Sequence, residues 1–210
     1  AGPNPKGKHA IAVIPGERPK LASTGGNAIR VWDIETNEDA PPSGLCAAYS
    51  VAASPNGQWL AIGGTDHFTQ LWNVKEGVLV ASLEATKPPI GAVAFSADST
   101  RLAHTSQADG LVWIWNCATC EPDLILIEAA DGCTLEDVAW HPSGEWVACG
   151  GIDYLSTGER DGAVAIWDLA TKKKVFTLDT GVYAIAFDPA GKYLAGAGLN
   201  DSVYLWDLET

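Results

Sequence analysis

Apolar and polar residues alternate along this chain in short runs, each closed by a cluster of turn formers, and the same alternation returns several times. One recurring run leads into a tight turn: Ala10-Ile-Ala-Val-Ile-Pro15, Val51-Ala-Ala-Ser-Pro-Asn-Gly57, Val93-Ala-Phe-Ser-Ala-Asp98, Val138-Ala-Trp-His-Pro-Ser-Gly144 and Ile185-Ala-Phe-Asp-Pro-Ala-Gly191. A second follows it, at Leu21-Ala-Ser, Leu60-Ala-Ile-Gly-Gly64, Leu102-Ala-His, Val147-Ala-Cys-Gly-Gly151 and Leu194-Ala-Gly. A period of two residues places one face of each run in a core, so these runs predict strands, and the Pro, Asn, Asp and Gly between them predict turns. No segment carries the 3.6-residue period of an amphipathic helix.

A third phrase, apolar-Trp-(Asp or Asn), closes each repeat. It occurs at Val31-Trp32-Asp33, Leu71-Trp72-Asn73, Ile114-Trp115-Asn116, Ile166-Trp167-Asp168 and Leu205-Trp206-Asp207, with Trp-to-Trp spacings of 40, 43, 52 and 39. A weaker fourth strand is predicted at Val78–Leu83, Leu124–Ile127 and Lys174–Leu178. After the first repeat, 37–44 carries Pro41-Pro42, which an edge strand tolerates because proline cannot donate to a ladder. Four short strands repeated about every 40 residues predict an all-β propeller built from four-stranded blades. The blade motifs fall near 10–48, 49–84, 91–128, 136–179 and 182–210, after a leader, 1–9, without clear structure.

These phrases resemble the WD40-repeat family, in which the inner strand carries a Val-Ala-Phe-Ser-Pro-like run and the third strand ends in Trp-Asp. Five matches in register span 10–209, nearly the whole chain. The resemblance implies that Trp32, Trp72, Trp115, Trp167 and Trp206 fill the space between blades. It also implies that an Asp six residues ahead joins each Trp in a structural hydrogen-bond network. Asp66, Asp109, Asp161 and Asn200 hold that place, whereas the first repeat has Gly26 there and Asn27 one later. An acid repeated once per blade answers a structural need, not a catalytic one. The family's Gly-His pair is missing, and His9, His67, His104 and His141 stand elsewhere, which puts the network's geometry in doubt.

The fifth repeat stops after its third strand, so its outer strand is expected to be absent. The family usually has about seven blades. Two readings stay open: a five-blade piece of a larger propeller, or a small propeller that closes or associates with another copy through the incomplete last blade.

Charge narrows the function. The net charge is −13, and 117–171 holds eleven acidic residues against the single basic Arg160. Phosphate binding needs clustered Lys and Arg, so nucleic acid is not the expected partner. No apolar run reaches the roughly 20 residues of a membrane span. The five cysteines have no framework spacing, and Cys117-Ala-Thr-Cys120 has no second pair to complete a zinc site. They are expected to be structural, compatible with a reducing compartment such as the cytoplasm without fixing it. No metal or cofactor is implied.

The spacing of 52 marks an insertion of roughly ten residues within 153–161. By the resemblance, that loop belongs to the top face, together with Asp131, Glu136 and Asp137. The expected site is therefore an acidic rim for other proteins or peptides: Asp131, Glu136, Asp137, Asp153 and Glu159 attract a basic segment, and Tyr154 and Leu155 anchor it. The resemblance implies a non-catalytic protein-interaction platform. The alternatives are a propeller-based enzyme such as a glycoside hydrolase, which needs two carboxylates about 5–10 Å apart across a cleft, and a lectin-like or metal-stabilised propeller. No Gly-x-Ser-x-Gly, HExxH or phosphate-cradling loop supports catalysis.

Overall fold

A computed structural model describes residues 10–25, 28–45, 48–126, 130, 133–154, 162–199 and 201–209. Among them every regular element is a strand, and no helix is present that could cross a membrane. Blade one is β1 (Ile11–Ile14), β2 (Lys20–Gly25), β3 (Ala28–Asp33) and β4 (Asp39–Leu45). Blade two is β5 (Ala48–Ala53), β6 (Trp59–Gly64), β7 (Phe68–Asn73) and β8 (Val78–Glu84). Blade three is β9 (Ile90–Phe95), β10 (Arg101–Ser106), β11 (Leu111–Asn116) and β12 (Pro122–Leu126). Blade four is β13 (Thr134–Trp140), β14 (Trp146–Ile152), β15 (Gly162–Asp168) and β16 (Lys173–Leu178). Blade five is β17 (Val182–Phe187), β18 (Tyr193–Gly198) and β19 (Val203–Asp207), three strands among the described residues. Each blade is an antiparallel meander in chain order, as the alternation predicts. The strand bearing Pro41 and Pro42 is the outermost of its blade, and its pairing with β3 shifts register between Ile29 and Val31, across the two prolines.

The hairpins close for local reasons. The Asp or Asn that follows each motif Trp caps the turn after the third strand. Asp33 Oδ1 accepts the N–H groups of Glu35 and Thr36, Asn73 Oδ1 that of Glu76, Asn116 Oδ1 those of Ala118 and Thr119, and Asp168 Oδ1 that of Thr171. Such side chains mimic a backbone turn. The N–H bonds hold the Asp33 and Asp168 carboxyls below the ordinary carboxylate range.

The core lies between blades. Ile29 and Val31 of blade one meet Val51, Leu60 and Ile62 of blade two. Leu71 meets Ile90, Val93 and Leu102 of blade three. Val112 and Ile114 meet Leu135 and Val138 of blade four. Val164 and Ile166 meet Val182 and Ile185 of blade five. Each such side chain contributes about 1.5–3 kcal/mol when fully buried. The next blade is what covers them: Val164 and Ile166 are fully buried, while their blade-five counterparts Val203 and Leu205 are exposed. Gly150 permits the close approach, because a Cβ there would stand 2.3 Å from Val182 Cγ2.

Polar stitches reinforce the stack. Arg101 Nη2 donates to Gly144 O, His141 Nε2 lies 3.0 Å from Gly191 O, and the Trp140 indole donates to Ala94 O at 3.0 Å. Each links one blade to the next, so a blade's inner strand is fixed relative to its neighbour. That rigidity positions the side chains described below.

Candidate partner-binding site

The inner strands of blades two, four and five share a β-bulge near their start. Pairing shifts register between Ala48 and Ser50 on β5, between Leu135 and Asp137 on β13, and between Val182 and Ala184 on β17. A bulge re-aims the extra residue out of the ladder. The residues so treated are Tyr49, Glu136 and Tyr183, at equivalent places in blades two, four and five. Opposite Glu136 stands the Gly150-Gly151 pair, which gives the distorted β13 room: a Cβ on Gly151 would lie 2.3 Å from Thr134 O.

Glu136 is 6% exposed. Its Oε1 accepts the Tyr154 hydroxyl at 3.0 Å, and its Oε2 accepts Gln107 Nε2 of blade three at 3.3 Å. Tyr154, just beyond β14, is 60% exposed as a residue while its hydroxyl donates to the carboxylate. Burial, then the Glu136 charge and hydrogen bond, push the phenol up to about 12. The ring therefore stays neutral and the hydroxyl stays a donor at ordinary pH.

Asp137 does something else. Its Oδ1 accepts the N–H of Val138 at 2.9 Å, and its Oδ2 accepts the N–H of Ile185 on the next inner strand at 2.8 Å. Both oxygens hold backbone, which gives this expected rim acid a structural task. Asp153 is half-buried between β14 and Tyr154. Asp131, Leu155 and Glu159 lie outside the described residues. Tyr183, which the sequence reading missed, is 49% exposed and within electrostatic reach of the Tyr154 hydroxyl. Its signal in the sequence is only positional, two residues before the inner-strand apolar Ile185, as Glu136 stands before Val138.

The motif residues divide. Trp115 is buried, and Trp32, Trp72, Trp167 and Trp206 are half-buried on their third strands. The Trp72 indole donates to Gln70 Oε1 at 3.1 Å, not to Asp66, which accepts the N–H of Phe68. Asp109 accepts the Thr86 hydroxyl, and the indole N–H groups of Trp113 and Trp115 have no partner among the described residues. Asp161 and Asn200 lie outside the described residues. The expected Asp-to-Trp bond is thus not formed by Asp66 or Asp109. The missing Gly-His pair removes the imidazole through which the resemblance routes that network. His104 takes a different position, on the second strand of blade three. It is fully buried, with Nδ1 2.7 Å from Thr69 Oγ1.

No three His, Cys, Asp or Glu side chains converge on a metal position among the described residues. Cys117, Cys120, Cys133 and Cys149 are free thiols, and burial pushes Cys117 up to about 12, away from the nucleophilic thiolate.

Comparison with known proteins agrees with this architecture. The model of the "WD domain, G-beta repeat" family matches residues 44–73, 77–116, 127–168 and 172–207. The segment 77–116 runs from β8, the outer strand of blade two, through β11 of blade three, so the sequence repeat ties two blades together covalently. WD repeat-containing protein 18 of Danio rerio is 23% identical over 208 residues, covering 93% of this chain and 46% of its own length. WD repeat and HMG-box DNA-binding protein 1 of Xenopus laevis is 26% identical over 207 residues, covering 90% and 17%. The periodic tryptophan protein 2 homolog of Dictyostelium discoideum is 25% identical over 163 residues, covering 76% and 17%. The chain spans less than half the length of these relatives.

Proposed function

The chain belongs to the WD40-repeat family, whose members generally serve protein interaction, and from that premise we propose that it is a non-catalytic platform receiving a basic peptide segment on the acidic rim of blade four. The observation that carries the reading is Tyr154: an aromatic residue left largely exposed while its hydroxyl is pinned to the buried Glu136. Pinning removes the entropy a free tyrosine would lose on contact, and rigid aromatic side chains are favoured interface anchors. The acid-rich stretch around it, 117–171, supplies long-range attraction for a Lys/Arg-rich segment. Asp153 adds local negative charge, with Asp131, Leu155 and Glu159 as the further members of the rim. Asp137 supports the rim from beneath by fixing β17.

The test is binding of a Lys/Arg-rich peptide library to the protein and to a version with 153–159 shortened. The proposal predicts a marked loss on shortening, weakening further with salt. Equal binding by both proteins would end it.

Self-association through blade five is a second reading, favoured by the exposed Val203 and Leu205. Sedimentation velocity across a concentration series tests it; a single monomeric boundary throughout removes it.

A further inference from the structure

Blades four and five each present an exposed tyrosine, Tyr154 just beyond β14 and Tyr183 on β17. The Asp137–Ile185 bond locks β13 beside β17, so the bulged Glu136 and the bulged Tyr183 occupy equivalent positions in neighbouring blades. Tyr154 rises from the end of β14 and reaches Glu136 with its hydroxyl. Two exposed tyrosines and a buried carboxylate thus stand on neighbouring blades, with Tyr183 within electrostatic reach of the Tyr154 hydroxyl and Gln107 donating to the acid from blade three.

We propose that Tyr154 and Tyr183, with Glu136 behind them, form a receptor for one cationic side chain of an incoming peptide, arginine ahead of lysine. This rests on the platform reading above and names the chemistry by which that rim recognises its partner. Three features select a cation. An aromatic face carries the negative part of a quadrupole and attracts a guanidinium or ammonium group. Donation of the Tyr154 hydroxyl to a carboxylate shifts electron density into that ring and strengthens the attraction. The Glu136 charge, removed from bulk water, is screened less than a surface acid and adds to the field over the rings. A flat guanidinium stacks on a ring with less loss of hydration than an ammonium, which places arginine first. An apolar side chain would cover the rings equally well but gains nothing from the acid.

The experiment uses the 210-residue chain with tyrosine rings isotopically labelled. Three blocked heptapeptides of glycine and serine are titrated, carrying arginine, citrulline or norleucine at the centre. The arginine peptide is expected to shift two ring signals, those lost in Tyr154→Ala and Tyr183→Ala. The citrulline and norleucine peptides are expected to bind at least about fivefold more weakly, the scale of a cation–π contact. Tyr183→Ala should weaken the arginine peptide by about the same factor, and Tyr183→Phe, which keeps the ring, should restore it. Equal binding of the citrulline peptide, or indifference to Tyr183→Ala, overturns the receptor. If either result occurs while the basic library still prefers the protein with its full loop, the receptor falls and the platform stands. A library that ignores the loop sinks both.

Discussion

The Asp137 carboxylate accepts the backbone N–H of Ile185 at 2.8 Å, so a side chain of one blade holds the inner strand of the next. Ser50 makes the same link from blade two to blade three, accepting the N–H of Val93 at 3.1 Å. Removing such an acceptor strands an N–H at a packed junction, and bonds to charged groups are worth about 1.5–3 kcal/mol. Asp137→Ala is expected to lower the unfolding free energy in urea by about 2 kcal/mol. Asp137→Ser, which copies blade two, is expected to recover part of that. A wild-type midpoint for Asp137→Ala contradicts the link.

His104 sets an acid limit. Its ring lies fully buried beside Trp113 and Trp115, at centroid separations of 6.3 and 5.8 Å, and burial pushes its imidazole down to about 3. The folded state therefore holds it neutral, whereas the unfolded chain takes up a proton near its ordinary value of 6.5. The depressed value makes this contribution complete above about 6.5 and erodes it as pH falls toward about 3. Urea midpoints measured from pH 7.5 to 4.5 should fall for the wild type and fall less steeply for His104→Gln. Parallel slopes refute the assignment.

Gly191 fixes the first turn of blade five. Its φ is 73°, and a Cβ there would lie 2.2 Å from His141 Nε2, whose ring is wedged against Trp146 and Phe187. Gly191→Ala meets both a left-handed backbone and the His141 ring, which must shift and give up its contact with Gly191 O. A loss of about 2 kcal/mol or more is expected in thermal or chemical unfolding. In blade three Ser99 already holds the equivalent turn at φ 63° and accepts the N–H of Asn56. Ser99→Gly trades relief of that strain against the lost bond, and its effect should be much smaller. Equal effects of the two substitutions contradict this reading.

Alkaline titration reads the Tyr154–Glu136 contact directly. The difference between wild-type and Tyr154→Phe absorbance near 295 nm should have its midpoint near 12, because burial and the neighbouring carboxylate both oppose the phenolate. The raised value means that the contact's contribution is complete below about 10 and is lost between about 10 and about 12. A midpoint at the ordinary tyrosine value means that the hydroxyl does not rest on Glu136.

The blades were legible because their cause is periodic. Val51, Val93, Val138 and Ile185 recur at one place since each inner strand packs into the blade before it. Of the motif Trp residues, Trp115 is buried in the cluster that blades two and three share. Less legible was the acid beside them: Asp33 and Asp168 cap turns, a role that Asp-x-x-Thr171 spacing hints at but that inter-blade reasoning overlooked. The site was half legible. Glu136 and Tyr154 stand out by charge and by the insertion, but their contact depends on a bulge that only the paired strands define. A second bulge, on β17, sets Tyr183 at the equivalent position of the next blade, and Asp137 bridges to β17, neither of which a linear pattern reveals.

Hydrogen exchange with and without a bound Lys/Arg-rich peptide tests the location of binding most directly. Slowed exchange is predicted at 134–137, 153–154 and 182–185, where blades four and five present their tyrosines. Protection confined to the outer strands β8, β12 and β16, with those segments unchanged, would contradict it.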